Sequence, residues 1–538
     1  MSETGGAVRI APARAGLVLA TLIAGAIVAN INTSISNVAL PSIGKALQAT
    51  DIQLTGITDA YQLGIASTVL YLGAVGDRHG RRKLLLIGAA LCVPFSVLSA
   101  LAPSPGALIA AQIAVGVACG MLFPTTLSLI VSLWHGVGKT KAIALWTGIG
   151  SGTSVLGPIL GGWMLGELWW GSVFLITVPI ALLVLVLGFL VVPKSAGELT
   201  NPVDHAGGGL SVVMISSFVL GIIFAPQGFS PVVAILFTVT LVTGIAFFWR
   251  ERRCNNPLFD FGAASVPTFW VAFVVGLIAF GALIGALFIG QQFTQNVLGL
   301  TPLAAAVLTL GLAVTLIPAS IIGGHMIEGR GTKEPFALGL VFVAAGFAEM
   351  FFLWGPGISQ VWVVIAYLLI GVGIGLASTA SMRSLSFSLP TSKAGMSSGS
   401  ADLTKDLGGA VFQALLGTLL AVAYSKSLTS QLAALPAATA QSLGAQGTQE
   451  ALSSFEEAEV VAATLPASDA TALITAAQQA FTEGKSAAIA VALASVAIGL
   501  ALVWLKYPKH EEELKIFAEI GGPVAGDQAS GQRLPPAT

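Results

Sequence analysis

The stretch Gly73–Lys83, with the sequence GAVGDRHGRRK, decides the fold of this chain. It carries five charges in the seven residues from Asp77 to Lys83, in a chain of which only 9% is charged. Apolar runs of about 20 residues flank it on both sides, and each is long enough to cross a hydrocarbon core of about 30 Å. The stretch therefore predicts a tight hairpin between two membrane helices, and its excess of basic residues places the hairpin in the cytoplasm.

The composition excludes a soluble globular fold. The 538 residues are 55% apolar, with a mean hydropathy of +0.88. A soluble globule of this length could not bury so much apolar surface, so the chain is expected to be a polytopic membrane protein. Its apolar segments are long and continuous, which excludes an outer-membrane β-barrel.

Three cysteines, Cys92, Cys119 and Cys254, are scattered along the chain. Their spacing matches neither a metal site nor a disulfide framework. We therefore expect no cofactor and no metal. The basic clusters lie at helix ends, as topology requires, so we expect no nucleic-acid partner either.

Fourteen apolar spans can be counted. An even number places both termini on the same side, which is the cytoplasm if the hairpin lies there. On this arrangement 21 of the 24 Lys and Arg residues fall on the cytoplasmic side, the bias expected of a correct topology. The spans lie at about 16–37, 52–74, 84–102, 106–130, 142–165, 171–192, 208–225, 231–249, 268–291, 302–323, 335–353, 361–382, 401–422 and 486–505.

Polar segments and a weak internal repeat divide the chain. Gly324–Lys333 echoes the hairpin sequence 251 residues later, and pseudo-repeated halves are how transporters build a site that opens to either side of the membrane. The predicted divisions are a cytoplasmic N-terminus at 1–15, a six-helix bundle at 16–192, a linker with two extra membrane helices at 193–267, a second six-helix bundle at 268–507 that includes an outer segment at 424–485, and a cytoplasmic tail at 508–538.

The hairpin resembles the loop motif G-x-x-x-D-R-x-G-R-R of the major facilitator superfamily. Short matches at 37–41, 295–302 and 407–410 are similar to the fourteen-helix drug:proton antiporter branch, and span 5 carries a glycine-proline pattern like that of the drug antiporters. This pattern comprises Gly148, Gly152, Gly157, Pro158, Gly161 and Gly162. The resemblance implies an all-α fold of two six-helix bundles around a central cavity, two linker helices (14 transmembrane helices in all) and alternating access.

The resemblance assigns two motifs to conformational change. In the hairpin, glycines permit a sharp turn and basic residues meet anionic headgroups, so the motif is expected to act as a conformational lock; a pure topology anchor is the alternative. The lock residues are Gly73, Asp77, Arg78, Gly80, Arg81 and Arg82. The small residues of span 5 predict close helix packing, either for gating or as ordinary packing.

The chain departs from the family pattern at two charged positions. Asn32 stands in span 1 where the family usually has an acid, and Gln112 stands in span 4 where it usually has a base. Asp59 lies about 12 Å into span 2, at 1.5 Å per residue. It shares a face with Thr55 and Gln62, and an ionisable group at this depth is a candidate for proton coupling. The alternative is an acid in a wet outer vestibule.

Polar side chains within the spans predict a binding cavity, with hydrogen bonding between helices as the alternative. The predicted substrate-binding residues are Asn32, Asp59, Gln62, Gln112, Gln291 and Gln295. In span 13, Asp402 and Asp406 share a face, with Lys405 beside them. They are predicted to form salt bridges of a gate, the alternative being a solvated helix start.

The predicted function is a secondary active transporter, an efflux permease that moves a small amphipathic or polar organic solute. No G-x-x-x-x-G-K-[ST] loop occurs, so the energy would come from a gradient. No catalytic constellation suggests an enzyme. The alternatives are an uncoupled facilitator or importer of a metabolite, or a non-transporting sensor. The expected location is the bacterial inner membrane, and the expected partners are the solute, protons and the lipid bilayer around a monomer.

Overall fold

The computed structural model describes residues 12, 14–47, 49, 51–193, 203–224, 230–254, 257–390, 393–434 and 437–520. Within these residues all the regular structure is helical. Parts of the predicted linker (194–202) and of the predicted cytoplasmic tail (521–538) lie outside them.

The first seven helices form the N-terminal bundle. Gly80 separates the second from the third with φ 103°, a backbone conformation that glycine adopts without strain. Ser104 caps the fourth helix by accepting a hydrogen bond from the Ala107 amide, and proline follows at the first helical position. The helices are α1 (Ala15–Leu47), α2 (Asp51–His79), α3 (Arg81–Ala100), α4 (Pro105–Leu133), α5 (Gly136–Glu167), α6 (Ser172–Leu175) and α7 (Thr177–Val191).

A linker with two long helices follows. It contains α8 (His205–Phe224), α9 (Pro231–Glu251) and the short α10 (Phe261–Ala264). Asp204 ties the two long helices together, since its carboxylate accepts hydrogen bonds from Arg250 at 2.7–3.1 Å and from the Gly207 amide at 2.9 Å. Burial opposes ionisation of this carboxyl, but the hydrogen bonds outweigh it and lower the pKa of Asp204.

The remaining helices form the C-terminal bundle and its extensions. A π-helical stretch, Phe293–Val297, continues the first of them. The helices are α11 (Pro267–Gln292), α12 (Pro302–Leu308), α13 (Leu310–Arg330), α14 (Lys333–Phe352), α15 (Gln360–Phe387), α16 (Ala394–Ala433), α17 (Ala437–Ser453), α18 (Phe455–Ala462), α19 (Ala467–Lys506) and α20 (His510–Glu519).

The membrane architecture agrees with the prediction. Twelve helices in the described part of the chain are long and apolar enough to cross a membrane. The other two predicted spans, 2 and 5, coincide with α2 and α5, which have 29 and 32 residues. The fold class is therefore an all-α multi-pass membrane protein with two bundles and two linker helices; the exact domain limits stay predictions.

Two helices are much longer than the spans predicted for them. α16 and α19 have 40 residues each, and they pack against one another where Gly484 approaches the carbonyl of Leu420. Their extra turns, with α17 and α18, form the outer segment. This segment contains the two short helices α17 and α18, and Tyr424 holds them by donating hydrogen bonds to the carbonyls of Ala451 and Ser454.

We call the membrane face that carries the Gly80 turn the loop face. The helix pairs through which the two bundles meet include α5 with α13 and α2 with α16. On α5, a Cβ at Gly148 would lie 2.9 Å from the Cβ of Ser320 on α13. On α16, a Cβ at Gly399 would lie 3.3 Å from the Cα of Leu70 on α2. Small residues thus permit close contact between the bundles.

Candidate functional site

The hairpin at the loop face is held by a buried ion pair. Arg81 and Asp77 lie 2.8 Å apart and are each 4% exposed. Arg82 donates to the backbone carbonyls of Gly188 and Phe189 at the end of α7. These contacts confirm a tight, well-fixed turn. Gly73 and Arg78 lie in the last two turns of α2, and the role of the set as a lock stays a prediction.

The glycines of span 5 lie where α5 packs closely against other helices. Gly152 faces Ile317 of α13 at 3.1 Å, and Gly161 faces Ile35 of α1 at 2.9 Å. Gly162 has only an ordinary contact, 3.8 Å, with Leu303. Gly157 is buried, and the side chain of Pro158 lies outside the described residues.

Replacing Gly148 by leucine is expected to reduce transport at least tenfold, since misplacing packed groups by about 1 Å can cost about a hundredfold in rate. The added side chain meets Ser320 and forces α5 away from α13. The measurement is solute flux at equal protein level. Gly166→Leu is the control, because a Cβ there meets no atom within 4 Å. Wild-type flux in the Gly148 variant would contradict the prediction.

A small cavity lies between the two bundles. It has room for about one water molecule, so a solute could enter only after the bundles separate. Its lining comes from six helices of both bundles and includes Asn30, Phe123, Trp146, Phe280, Met382 and Lys405. Of these, only Lys405 belongs to the site residues predicted above.

The ammonium group of Lys405 fills the polar end of this cavity. It donates a hydrogen bond to Oδ1 of Asn30 and lies 4.5 Å above the ring of Phe123. Asn30 is oriented for this contact because its amide nitrogen donates to the carbonyl of Ala26 at 2.9 Å. The Phe123 ring in turn packs 5.1 Å from that of Trp146. Lys405 therefore links α16 of the C-terminal bundle to α1 and α4 of the N-terminal bundle.

Two acidic residues flank Lys405 on α16. Asp402 is 0% exposed, and neither of its carboxylate oxygens has a hydrogen-bond partner. Asp406 is close enough to Asp402 and Tyr61 to interact with both electrostatically. Among the described ion pairs, none joins Lys405 to either acid. The predicted gate residues thus lie at the contact between bundles, but the predicted salt bridges are not formed in this conformation.

The predicted substrate-binding residues are spread over four helices, α1, α2, α4 and α11, and the π-helical stretch. Gln295 donates to Gln291 at 3.1 Å, which confirms that they share a face. Asn32 is buried and donates to the carbonyl of Val28. Gln112 is 0% exposed, and its side-chain oxygen and nitrogen have no hydrogen-bond partner.

Two further residues complete that set. Gln62 is half-buried on α2. The side chain of Asp59, on the same helix, lies outside the described residues. None of the other five, whose side chains the structure describes, lines the small cavity, and the role of all six in binding stays a prediction.

A buried carboxylate at the loop face was missed by the sequence analysis. Glu513 of α20 is 1% exposed and accepts hydrogen bonds at 3.0 Å from Arg383, from the Thr332 amide and from the Tyr507 hydroxyl. Burial, followed by the charge of Glu513, raises the pKa of Tyr507, so the phenol remains a donor. The signal that could have found this site is the i, i+4 spacing of Glu513 and Phe517.

The Glu513 network extends to the contact between bundles. The guanidinium of Arg383 lies 4.6 Å from the ring centre of Phe387 and 5.3 Å from that of Phe517. The ammonium of Lys139 on α5 lies 3.9 Å from the centre of the same Phe387 ring and donates to the Ser386 carbonyl. We call Lys139, Arg383, Phe387, Glu513 and Phe517 the loop-face cluster.

Comparison with known proteins places this geometry in a family. The model of the Major Facilitator Superfamily matches residues 22–413. The chain is 34% identical over 501 residues to the multidrug efflux pump LfrA of Mycolicibacterium smegmatis, covering 91% of this chain and 97% of that protein. It is 29% identical over 489 residues to the methyl viologen resistance protein SmvA of Salmonella typhimurium, covering 89% of this chain and 96% of that protein.

A third relative and a solved structure are also similar to this chain. The tetracenomycin C resistance and export protein of Streptomyces glaucescens is 28% identical over 515 residues, covering 93% of this chain and 94% of that protein. The structure of the proton:xylose symporter XylE matches with a TM-score of 0.59 at 14% identity, covering 92% of this chain and 96% of XylE. That likeness supports the fold alone. With its two bundles, its hairpin motif and a family match that spans most of its length, the chain belongs to the major facilitator superfamily and is a secondary transporter.

Proposed function

We propose that this transporter exports small amphipathic or polar organic compounds from the bacterial cytoplasm in exchange for protons. The protein would lie in the plasma membrane, with the hairpin, both termini and the loop face on the cytoplasmic side. Three relatives of nearly full coverage, whose names describe multidrug efflux, methyl viologen resistance and tetracenomycin C export, support this direction. No covalent chemistry is needed, so we do not assign an enzymatic activity.

The observation that carries the proposal is the acid pair on α16. An ionisable group within the membrane is costly and marks a coupling path or a binding site. Asp402 lies at the contact between the bundles with both oxygens unpartnered, on the same face of α16 as Gly399. A proton taken up or released there would change the interaction with Lys405 and with α2. Asp59 remains a second candidate for the same role.

The experiment uses the full chain in liposomes loaded with a panel of amphipathic dyes. An imposed proton gradient is expected to drive dye movement against its own gradient in the wild type. Asp402→Asn is expected to reduce this driven flux at least tenfold, about 1.4 kcal/mol, while dye exchange without a gradient continues. The measurement is dye fluorescence against time. Glu459→Gln, an exposed acid on α18, serves as the control.

The outcomes separate the alternatives. If dyes equilibrate but ignore the proton gradient in the wild type, the protein is an uncoupled facilitator. If Asp59→Asn abolishes driven flux and Asp402→Asn does not, coupling belongs to Asp59. If no compound moves in any preparation, the transport proposal fails.

A further inference from the structure

The cavity between the bundles holds a cation that belongs to the chain itself. The Lys405 ammonium lies against the aromatic ring of Phe123, and Trp146 and Phe280 complete an aromatic wall that is nearly fully buried. Aromatic faces attract cations through their quadrupole, and the attraction grows to about 2 kcal/mol or more when water is excluded. The site therefore has the chemistry that recognises an organic cation, and Lys405 occupies it.

The same lysine has a second possible partner on its own helix. Asp402 precedes it by three residues, a spacing at which side chains on a helix meet. Both carboxylate oxygens of Asp402 are buried without a hydrogen-bond partner, whereas the ammonium is engaged elsewhere, with Asn30. Leaving a buried carboxylate unpaired is costly, and an ammonium that moved to it would remove that cost.

We propose that Lys405 is an internal competitor for a lipophilic organic cation, which displaces the ammonium from Phe123 and Asn30 towards Asp402. The inference rests on the proposed export function and assigns Lys405 a role in the release of the ligand. Binding of the cation and pairing of Lys405 with Asp402 are one event, so the charge within the site changes by the single charge of the ligand. When the ammonium returns to the aromatic wall, it expels the ligand.

Replacing a competitor is expected to change ligand affinity in the opposite direction from replacing an ordinary contact residue. Removing a side chain that merely supports the site weakens binding, whereas removing a competitor strengthens it. Lys405→Met keeps the length of the side chain and removes the ammonium. It is expected to bind tetraphenylphosphonium at least about tenfold more tightly than the wild type, a factor that corresponds to roughly 1.4 kcal/mol.

The test is a binding titration with tetraphenylphosphonium on the purified full chain, with thermal unfolding as a check of folding. Lys405→Gln is a second variant in case methionine disturbs packing, and Lys405→Arg, which keeps a permanent cation, is expected to show no gain in affinity over the wild type. Lys141→Met, an exposed lysine on α5, is the matched control. Adding Phe123→Ala to Lys405→Met is expected to abolish the gain in affinity for tetraphenylphosphonium.

Unchanged or weaker binding in both the Met and Gln variants would overturn the inference, as would an equal gain in Lys141→Met. Binding of an uncharged dye should not respond to Lys405→Met. Failure of this test leaves the export proposal intact, because that proposal depends on gradient-driven flux of the wild type and not on the affinity of any variant for a cation.

Discussion

Replacing Glu513 by alanine is expected to detach α20 from the loop face. The change leaves the Arg383 guanidinium, 3% exposed, without its carboxylate. Removing one partner of a buried ion pair costs about 3–5 kcal/mol. A ten-residue helix cannot recover this from its remaining contacts, so we expect local release of the helix before global unfolding.

The release should also weaken closure at the loop face. Arg383 positions the Phe387 ring, which is the surface that Lys139 contacts from the other bundle. We therefore expect a several-fold loss of flux along with the structural change. Hydrogen exchange of the α20 amides and dye flux are the two measurements.

Two further variants make this test specific. Glu511→Ala removes an exposed acid from the same helix and should change neither measurement. The double replacement Arg383→Met with Glu513→Met removes both charges together and should restore protection of α20, because paired removal is often neutral or stabilising. Protection that survives in Glu513→Ala would mean that the ion pair does not hold the helix.

Replacing Asp77 by alanine should have a comparable effect in the hairpin. Asp77 and Arg81 are both 4% exposed and 2.8 Å apart, so the same penalty of about 3–5 kcal/mol applies. Because the turn also fixes α3 against the end of α7 through Arg82, we expect at least a tenfold fall in flux. The measurement is dye efflux from cells at matched protein levels.

An exposed ion pair at the second copy of the hairpin sequence provides a control with the same four-residue spacing. Arg330 and Glu334 form an i, i+4 pair at 3.4 Å, but they are 69% and 50% exposed. An exposed pair contributes little, so Glu334→Ala should leave efflux at the wild-type level. An equal loss of efflux in Asp77→Ala and Glu334→Ala would indicate that the importance of the Asp77–Arg81 pair for transport does not come from its burial.

Features set by local spacing could be predicted from the sequence. Apolar runs located the membrane helices, and residues four apart on one helix do meet, as in Asp77 with Arg81 and Gln291 with Gln295. The glycines of α5 could be recognised as packing positions for the same reason. In each of these cases the pattern lies within one helix, where its geometry is fixed.

Contacts between distant segments could not be predicted. Lys405 was expected to pair with the acids beside it, but it donates to Asn30, 375 residues away. Glu513 meets Arg383 across 130 residues. Periodicity says which face of a helix is buried but not which neighbour it meets. Three consecutive acids, Glu511 to Glu513, gave no indication of which one is enclosed.

The length of α16 and α19 has a practical consequence. At 1.5 Å per residue, 40 residues span about 60 Å, roughly twice the hydrocarbon core. The paired helices, braced by α17 and α18, therefore stand well clear of a detergent micelle on one side. Such a projection gives electron cryomicroscopy a fixed landmark for aligning particles, and it offers an antibody fragment a rigid, helical epitope that does not interrupt the transport path.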